Sequence, residues 1–471
     1  MWLLLRRSVP VSLSYMLQNS IQSISVAVVG KQLDADALSA AAHGYMLAMV
    51  TAWCLALGGS TAFDTLASPL YSARRYREVG LMLQRTCLLL LLLYLPVVLV
   101  WYRSSSVLAF LGQPEQLCDQ VQSFLRVLAF GAPGYILFET VKKFCQVQGI
   151  MGASTLVLCF TSPLNAVLNF YLVRSRGLVG AAVATSITYW TSFLLLASFC
   201  LLGEPRKCWF GFERRSITDA KGCWLVLRLA IPGILMVGTE WWAFEIVALA
   251  AGRLAAPALS AQSVIMTVDQ ILNTLPFGLG VASSARIGNL LGYGTSKSNL
   301  SSLSISSYAA TLLATIQGCL VLVTLILTRD RFGSMFSSDQ PTIQLVSQVL
   351  PLVATFQVFD GWAGACGGVL RGIGKQELGA TINLVSYYLL ALPLGIFLAF
   401  RVGSGEGMGL SGLWIGQDVA LGLVGAGELI LVCFKTNWRS EAIKAQERMD
   451  DGEPDQDLHD PLPQVGETDE T

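Results

Sequence analysis

From Trp224 to Ala251 the chain reads WLVLRLAIPGILMVGTEWWAFEIVALAA, with Arg228, Glu240 and Glu245 its only charged residues. A run this long and this apolar spans a hydrocarbon core about 30 Å thick as a single α-helix. Glu240 falls near the middle of the run, and Arg228 is about three turns away. An ionised carboxylate at that depth costs at least ~2.5–3.5 kcal/mol, so it needs a partner, a watery cavity or a function. Glu245 follows about 140° round the helix and 7.5 Å along it, so one narrow face does not hold both acids squarely. The two repel each other in a low-dielectric setting.

The rest of the sequence repeats this pattern. Of 471 residues, 54% are hydrophobic and only 13% charged, with a mean hydropathy of +0.59. That is about half the charge of a soluble domain. The 31 basic residues balance 31 acidic ones, which leaves no surplus for nucleic acid. Apolar runs lie near 9–29, 38–64, 83–102, 122–146, 152–173 and 178–202. After a polar stretch, six more lie near 224–251, 259–284, 301–327, 343–368, 378–400 and 408–434. The expected fold is an all-α polytopic membrane protein with twelve transmembrane helices in two six-helix lobes. Its parts are an N-terminal lobe over residues 1–202, a cytosolic linker over 203–222, a C-terminal lobe over 223–436 and a disordered acidic tail over 437–471. With both termini in the cytosol, 22 of the 31 basic residues fall on the inner side, as the positive-inside rule requires.

A weak internal repeat supports the division. Leu38-Ser39-Ala40 recurs as Leu259-Ser260-Ala261, and the same offset carries Gly59 onto Gly280. Parallel repeats of six spans are related by a pseudo-two-fold axis along the membrane normal, and the cleft between them gives alternating access. The eleven Cys form no C-x-x-C pair and the two His are far apart, so neither a disulfide framework, a metal site nor another cofactor is expected. Intramembrane Pro133, Pro232, Pro276 and Pro393 mark expected kinks or breaks.

Asp360, in Phe356-Gln357-Val358-Phe359-Asp360-Gly361-Trp362, is the second acid in mid-run, and it can converge with Glu240 on the interior of the C-terminal lobe. Asp64, Glu139, Asp269 and Asp418 lie nearer span ends or beside polar neighbours. Glu139 has Lys142 and Lys143 at i+3 and i+4, which points to an ion pair on a helix surface. Trp241 and Trp242 offer ring faces that attract organic cations by ~0.5–2 kcal/mol.

Several blocks resemble eukaryotic members of the multidrug and toxic compound extrusion (MATE) family over residues 8–436. They are Gly58-Gly59-Ser60-Thr61-Ala62-Phe63-Asp64-Thr65-Leu66, Glu240-Trp241-Trp242-Ala243-Phe244-Glu245 and Ala282-Ser283-Ser284-Ala285-Arg286-Ile287-Gly288-Asn289. Gly367-Gly368-Val369-Leu370-Arg371-Gly372-Ile373-Gly374-Lys375-Gln376 follows, and then Asn383 through Tyr387-Tyr388 to Pro393. The resemblance implies a membrane antiporter, not an enzyme, that exports organic cations or toxic small molecules in exchange for protons. It implies that the acids of spans 7 and 10 are essential, which falls on Glu240 and Asp360, with Glu245 the second acid of span 7. Trp241, Trp242, Asn383, Tyr387 and Tyr388 are the expected substrate contacts. The expected partners are a small cationic substrate, protons and the lipid bilayer, with the protein a monomer in the plasma or vacuolar membrane. Almost nothing precedes the first run, which reads as the family's usual leader being absent or the chain being truncated. A flippase for lipid-linked glycans or other amphiphiles, from the same broad superfamily, is the alternative. Such a protein lines its cleft with Arg and Lys to hold pyrophosphate, whereas the mid-membrane charges here are acidic. An embedded acyltransferase or protease would need His-x-x-x-Asp, paired intramembrane Asp or a zinc ligand set, and the sequence has none.

Overall fold

The computed structural model describes residues 1–110, 112–214, 218–254, 256–337, 339–402 and 407–451. Among them every regular element is helical. The long helices are α1 (Trp2–Gln32), α2 (Ala35–Ser72), α3 (Tyr76–Tyr102), α4 (Glu115–Val147), α5 (Ala153–Arg176) and α6 (Leu178–Leu202). They continue as α7 (Ala220–Ala251), α8 (Pro257–Gly292), α9 (Lys297–Met335), α10 (Gln340–Ile373), α11 (Gln376–Arg401) and α12 (Gly409–Lys435). All but α1 are long and apolar enough to cross a membrane on composition alone, eleven helices among the described residues. Helix α1 has the length but carries Gln18, Asn19, Gln22 and several Ser. Ser14 donates to Ser154 of α5 at 3.0 Å and Gln18 donates to Glu139 of α4 at 2.7 Å, while Asn19 and Gln22 face the space between the lobes.

Local chemistry sets where the helices start and bend. Asp34, Asp219, Ser296 and Asp339 cap α2, α7, α9 and α10, each accepting from a backbone N–H three residues on. Pro133 and Pro232 lie inside continuous helices. Pro276 interrupts α8: its missing N–H and its ring oppose the carbonyl of Leu272, and the helix is broken at Asn273. Before Pro393, α11 widens into a π-turn over Val385–Ala391, and α2 does the same over Met49–Trp53. Such turns are often found at functional positions in helices.

Helices α1–α6 and α7–α12 form the two lobes; the core of the first also takes in Val226, Leu229 and Ala230 from the start of α7, and the second packs round its own cluster. In the first, α4 is central and packs on α6, α2 and α3. In the second, α10 takes the matching place against α9, α12 and α8. The lobes meet where α1 and α2 pack against α7 and α8. The backbones touch where α2 crosses α7, since a methyl group at Gly58 would lie 2.5 Å from the carbonyl oxygen of Gly233. Thr65 of α2 donates to the Arg371 carbonyl at 2.5 Å, and Gln376 donates to the Thr65 hydroxyl at 2.7 Å. Beyond this junction an open cleft lies between the lobes.

The tail differs from the sequence expectation. Instead of losing order at 437, the chain forms α13 (Trp438–Asp451). Its Ala442 and Ala445 pack with the C-terminal lobe, whereas Met449 packs into the core of the N-terminal lobe. Lys375 pairs with the buried Glu441 at 2.9 Å, and Arg448 donates to the Ile373 carbonyl at 3.0 Å. The high charge suits a half-exposed helix whose apolar Ala442, Ala445 and Met449, at i, i+3 and i+7, face the protein. Residues 452–471 of the expected tail lie outside the described residues.

Candidate functional site

In the N-terminal lobe the buried charges are neutralised. Lys142 lies 2.7 Å from Glu139 and 3.0 Å from the Gln18 oxygen, and Gln18 donates to the same Glu139 oxygen at 2.7 Å. Lys143 reaches across to Asp64 of α2 at 2.6 Å. Glu139 is therefore paired as its i+3 spacing requires, but in the lobe interior instead of on its surface.

The C-terminal lobe is built the other way. An open cleft lies between the lobes, and its wall carries Glu240, Glu245 and Asp269 with no Lys or Arg among its described lining residues. The opposite wall supplies uncharged groups from α1, α2 and α4, among them Tyr15, Asn19, Trp53 and Tyr135. Behind Glu240 a second, narrower pocket enters the lobe, lined by Asp360, Asn273, Arg371, Asn383 and Glu428 among others. Glu240, Trp241, Asn273 and Phe277 border both spaces. Glu240 thus stands at the boundary between cleft and lobe interior, and Glu245 stays on the cleft side.

Neither Glu240 nor Asp360 has an ion-pair partner within 4 Å among the described residues. Asp360 is 4% exposed and accepts from Asn273 Nδ2 at 3.2 and 3.3 Å. Asp269 accepts from Gln357 at 2.8 Å. These bonds come from neutral amides, so they orient the carboxylates without cancelling their charge. The break that Pro276 imposes on α8 is what places Asn273 opposite α10.

The aromatic and amide candidates separate. Trp241 faces both cavities and Asn383 lines the inner one, its Nδ2 donating to the Met236 carbonyl at 2.8 Å. Trp242 turns away and donates across the lobe junction to the Val50 carbonyl at 2.8 Å, within the π-turn of α2. Tyr388 donates to the Thr239 carbonyl at 3.0 Å. Tyr387 is buried at a small void beside Gln417, and its hydroxyl has no partner among the described residues. The structure adds Glu428, Asn273 and Arg371 to the residues around these acids. Glu428 lies in the run 408–434, and Asp269 and Asn273 share one face of α8 at i,i+4.

Two pseudo-symmetric bundles around an acid-walled cleft define a polytopic membrane transporter. Residues 10–171 and 232–397 match the MatE family. Protein DETOXIFICATION 16 of Arabidopsis thaliana is 34% identical over 92% of this chain and 88% of its own. Multidrug and toxin extrusion protein 2 of Mus musculus is 33% identical over 91% of this chain and 72% of its own. The crystal structure of the eukaryotic MATE transporter AtDTX14 aligns with a TM-score of 0.86 at 28% identity, over 95% of this chain and 99% of that one. The Vibrio cholerae MATE transporter VcmN in its bent form shares the fold, with a TM-score of 0.80 at 15% identity over 95% and 98% of the two chains. The chain belongs to the MatE family.

Proposed function

We propose that this protein is a secondary antiporter that exports organic cations or other toxic small molecules in exchange for protons, by alternating access of its two lobes. The observation that carries this reading is the contrast between the lobes: paired charges in one, unpaired acids facing a base-free cleft wall in the other. An organic cation is held there by charge and by the Trp241 face. Protons arriving on Glu240 and Asp360 remove that charge and release it. With both termini cytosolic, the open end of the cleft faces the acidic side, so the lobes stand ready to discharge cargo. Rocking then closes that end and opens the junction of α1 and α2 with α7 and α8. Each pH unit contributes about 1.4 kcal/mol per proton, so one-for-one exchange of a monovalent cation sustains about tenfold accumulation per unit.

The protein acts as a monomer in the plasma or vacuolar membrane, with lobes over 1–202 and 223–436. Glu245 supports the cleft's negative potential. Asn383, Tyr387, Tyr388 and Trp242 shape the site from its flanks, through the contacts described above. The test is uptake of ethidium into acidic-inside proteoliposomes. Wild type accumulates the dye in proportion to the pH gradient, while Glu240→Gln and Asp360→Asn lose that accumulation. Full, gradient-dependent uptake by both variants overturns the reading.

A further inference from the structure

Glu428 of α12 has no exposed surface, and neither of its carboxylate oxygens has a hydrogen-bond partner among the described residues. It rests in a notch between helices. A methyl group added at Gly367 of α10 would meet one oxygen at 3.1 Å, and one added at Gly379 of α11 would meet the other at 3.3 Å. Met236 of α7 closes the same corner, 2.8 and 2.9 Å from those two positions. The notch opens into the inner pocket that Glu240 separates from the cleft. The charged and titratable groups around it are Glu240 from α7, Asp360, Cys366 and Arg371 from α10, and Tyr387 from α11. Asn273 from α8 and Asn383 from α11 add neutral amides. Arg371 is the one cation lining this pocket among the described residues, and it makes no ion pair with Glu428 within 4 Å.

A buried carboxylate without donors is strongly disfavoured when ionised and far less so when protonated. A side chain of this kind at the closed end of a pocket, with acids at its mouth, has a route by which a proton arrives and leaves. We propose that Glu428 is a further proton-binding group of the transport cycle, loaded through the pocket it shares with Glu240 and Asp360. The proposal rests on the proton-coupled reading above. Arg371 gives the site its link to lobe movement. Its backbone carbonyl is held by Thr65 of the opposite lobe, so breaking that contact shifts the guanidinium relative to Glu428 and changes the cost of its ionisation.

Two measurements test this. In proteoliposomes at zero membrane potential, equilibrium ethidium accumulation is read against the pH gradient for wild type and Glu428→Gln. With Glu428 carrying a second exchanged proton, wild type is expected to sustain about a hundredfold per pH unit and the variant about tenfold, one proton fewer. A slope equal to wild type overturns the proposal, and a wild type that ignores the gradient overturns the proton-coupled reading instead. If Glu428→Gln fails to fold or to transport, wild-type protein decides the matter alone. Dicyclohexylcarbodiimide, which attacks protonated carboxyls in apolar surroundings, is applied across a pH series and the labelled peptides are mapped. Labelling of Glu428 that falls as pH rises supports the proposal. An unlabelled Glu428 beside a labelled Glu240 overturns it.

Discussion

Replacing Gly58 with Ala wedges the lobes apart at the junction of α2 and α7. The added methyl carbon would lie 2.5 Å from the Gly233 oxygen, 2.5 Å from the Ile234 Cα and 2.8 Å from the Gly233 carbonyl carbon. All three are backbone atoms, so no side-chain rotation relieves the clash, and the helices must separate by about 1 Å to reach ordinary contact. Overpacking of this kind costs about 1–3 kcal/mol. Because the strain exists only while this end is closed, swinging the lobes open removes it. The closed-to-open ratio should therefore fall about 5- to 150-fold. Spin labels on Ala73→Cys and Ser298→Cys, both exposed at this end on opposite lobes, report the change through electron–electron distance measurements. The background lacks the exposed Cys159 and Cys319. Gly58→Ala should add a population at longer distance in membranes of neutral lipid. A distribution identical to that of the parent, with unchanged thermal stability, would refute the reasoning.

Three further outcomes follow from the geometry. Trp242→Phe removes the donor to the Val50 carbonyl and should favour separation of the lobes by about 1 kcal/mol, roughly fivefold, in the same distance measurement. Lys143→Met leaves Asp64 buried without its partner and should cost about 3–5 kcal/mol, whereas adding Asp64→Asn restores most of that loss. Scanning fluorimetry of purified protein reads both. Ending the chain at Asn437 removes α13 and should loosen the closed end by about 2 kcal/mol, mostly from uncovering the site of Met449, because the half-exposed Lys375–Glu441 pair contributes less. A truncated protein with the parent's distance distribution argues that α13 is a passenger.

The fold is written in the sequence as uninterrupted apolar runs, because a bilayer leaves the backbone no option but to bond within each helix. Helix α1 shows the limit: its polar side chains are spent on α4, α5 and the cleft between the lobes, so composition alone undersells it. Glu240 and Asp360 are legible for the same reason, since each lies in mid-run far from any base. Glu428 escapes notice because its isolation is three-dimensional. Nothing in Gly427-Glu428-Leu429 announces that Gly367 and Gly379 clear a notch for it. The Asp64–Lys143 pair joins α2 to α4 and has no local spacing to reveal it, whereas Glu139–Lys142 has i+3 to do so. The order of α13 was hidden by its charge, which masks three small or flexible residues on one face.

Cation binding at equilibrium, read across pH, tests most directly whether cargo and protons compete for the same acids. Purified wild type is titrated with ethidium in detergent between pH 5 and 8. Mutual exclusion predicts an apparent Kd that rises about tenfold for each unit of acidification below the acids' titration range, and a much shallower dependence in the Glu240→Gln, Asp360→Asn double variant, where only Glu245 and Asp269 remain on the cleft wall. An affinity in wild type that stays flat across that range contradicts the account.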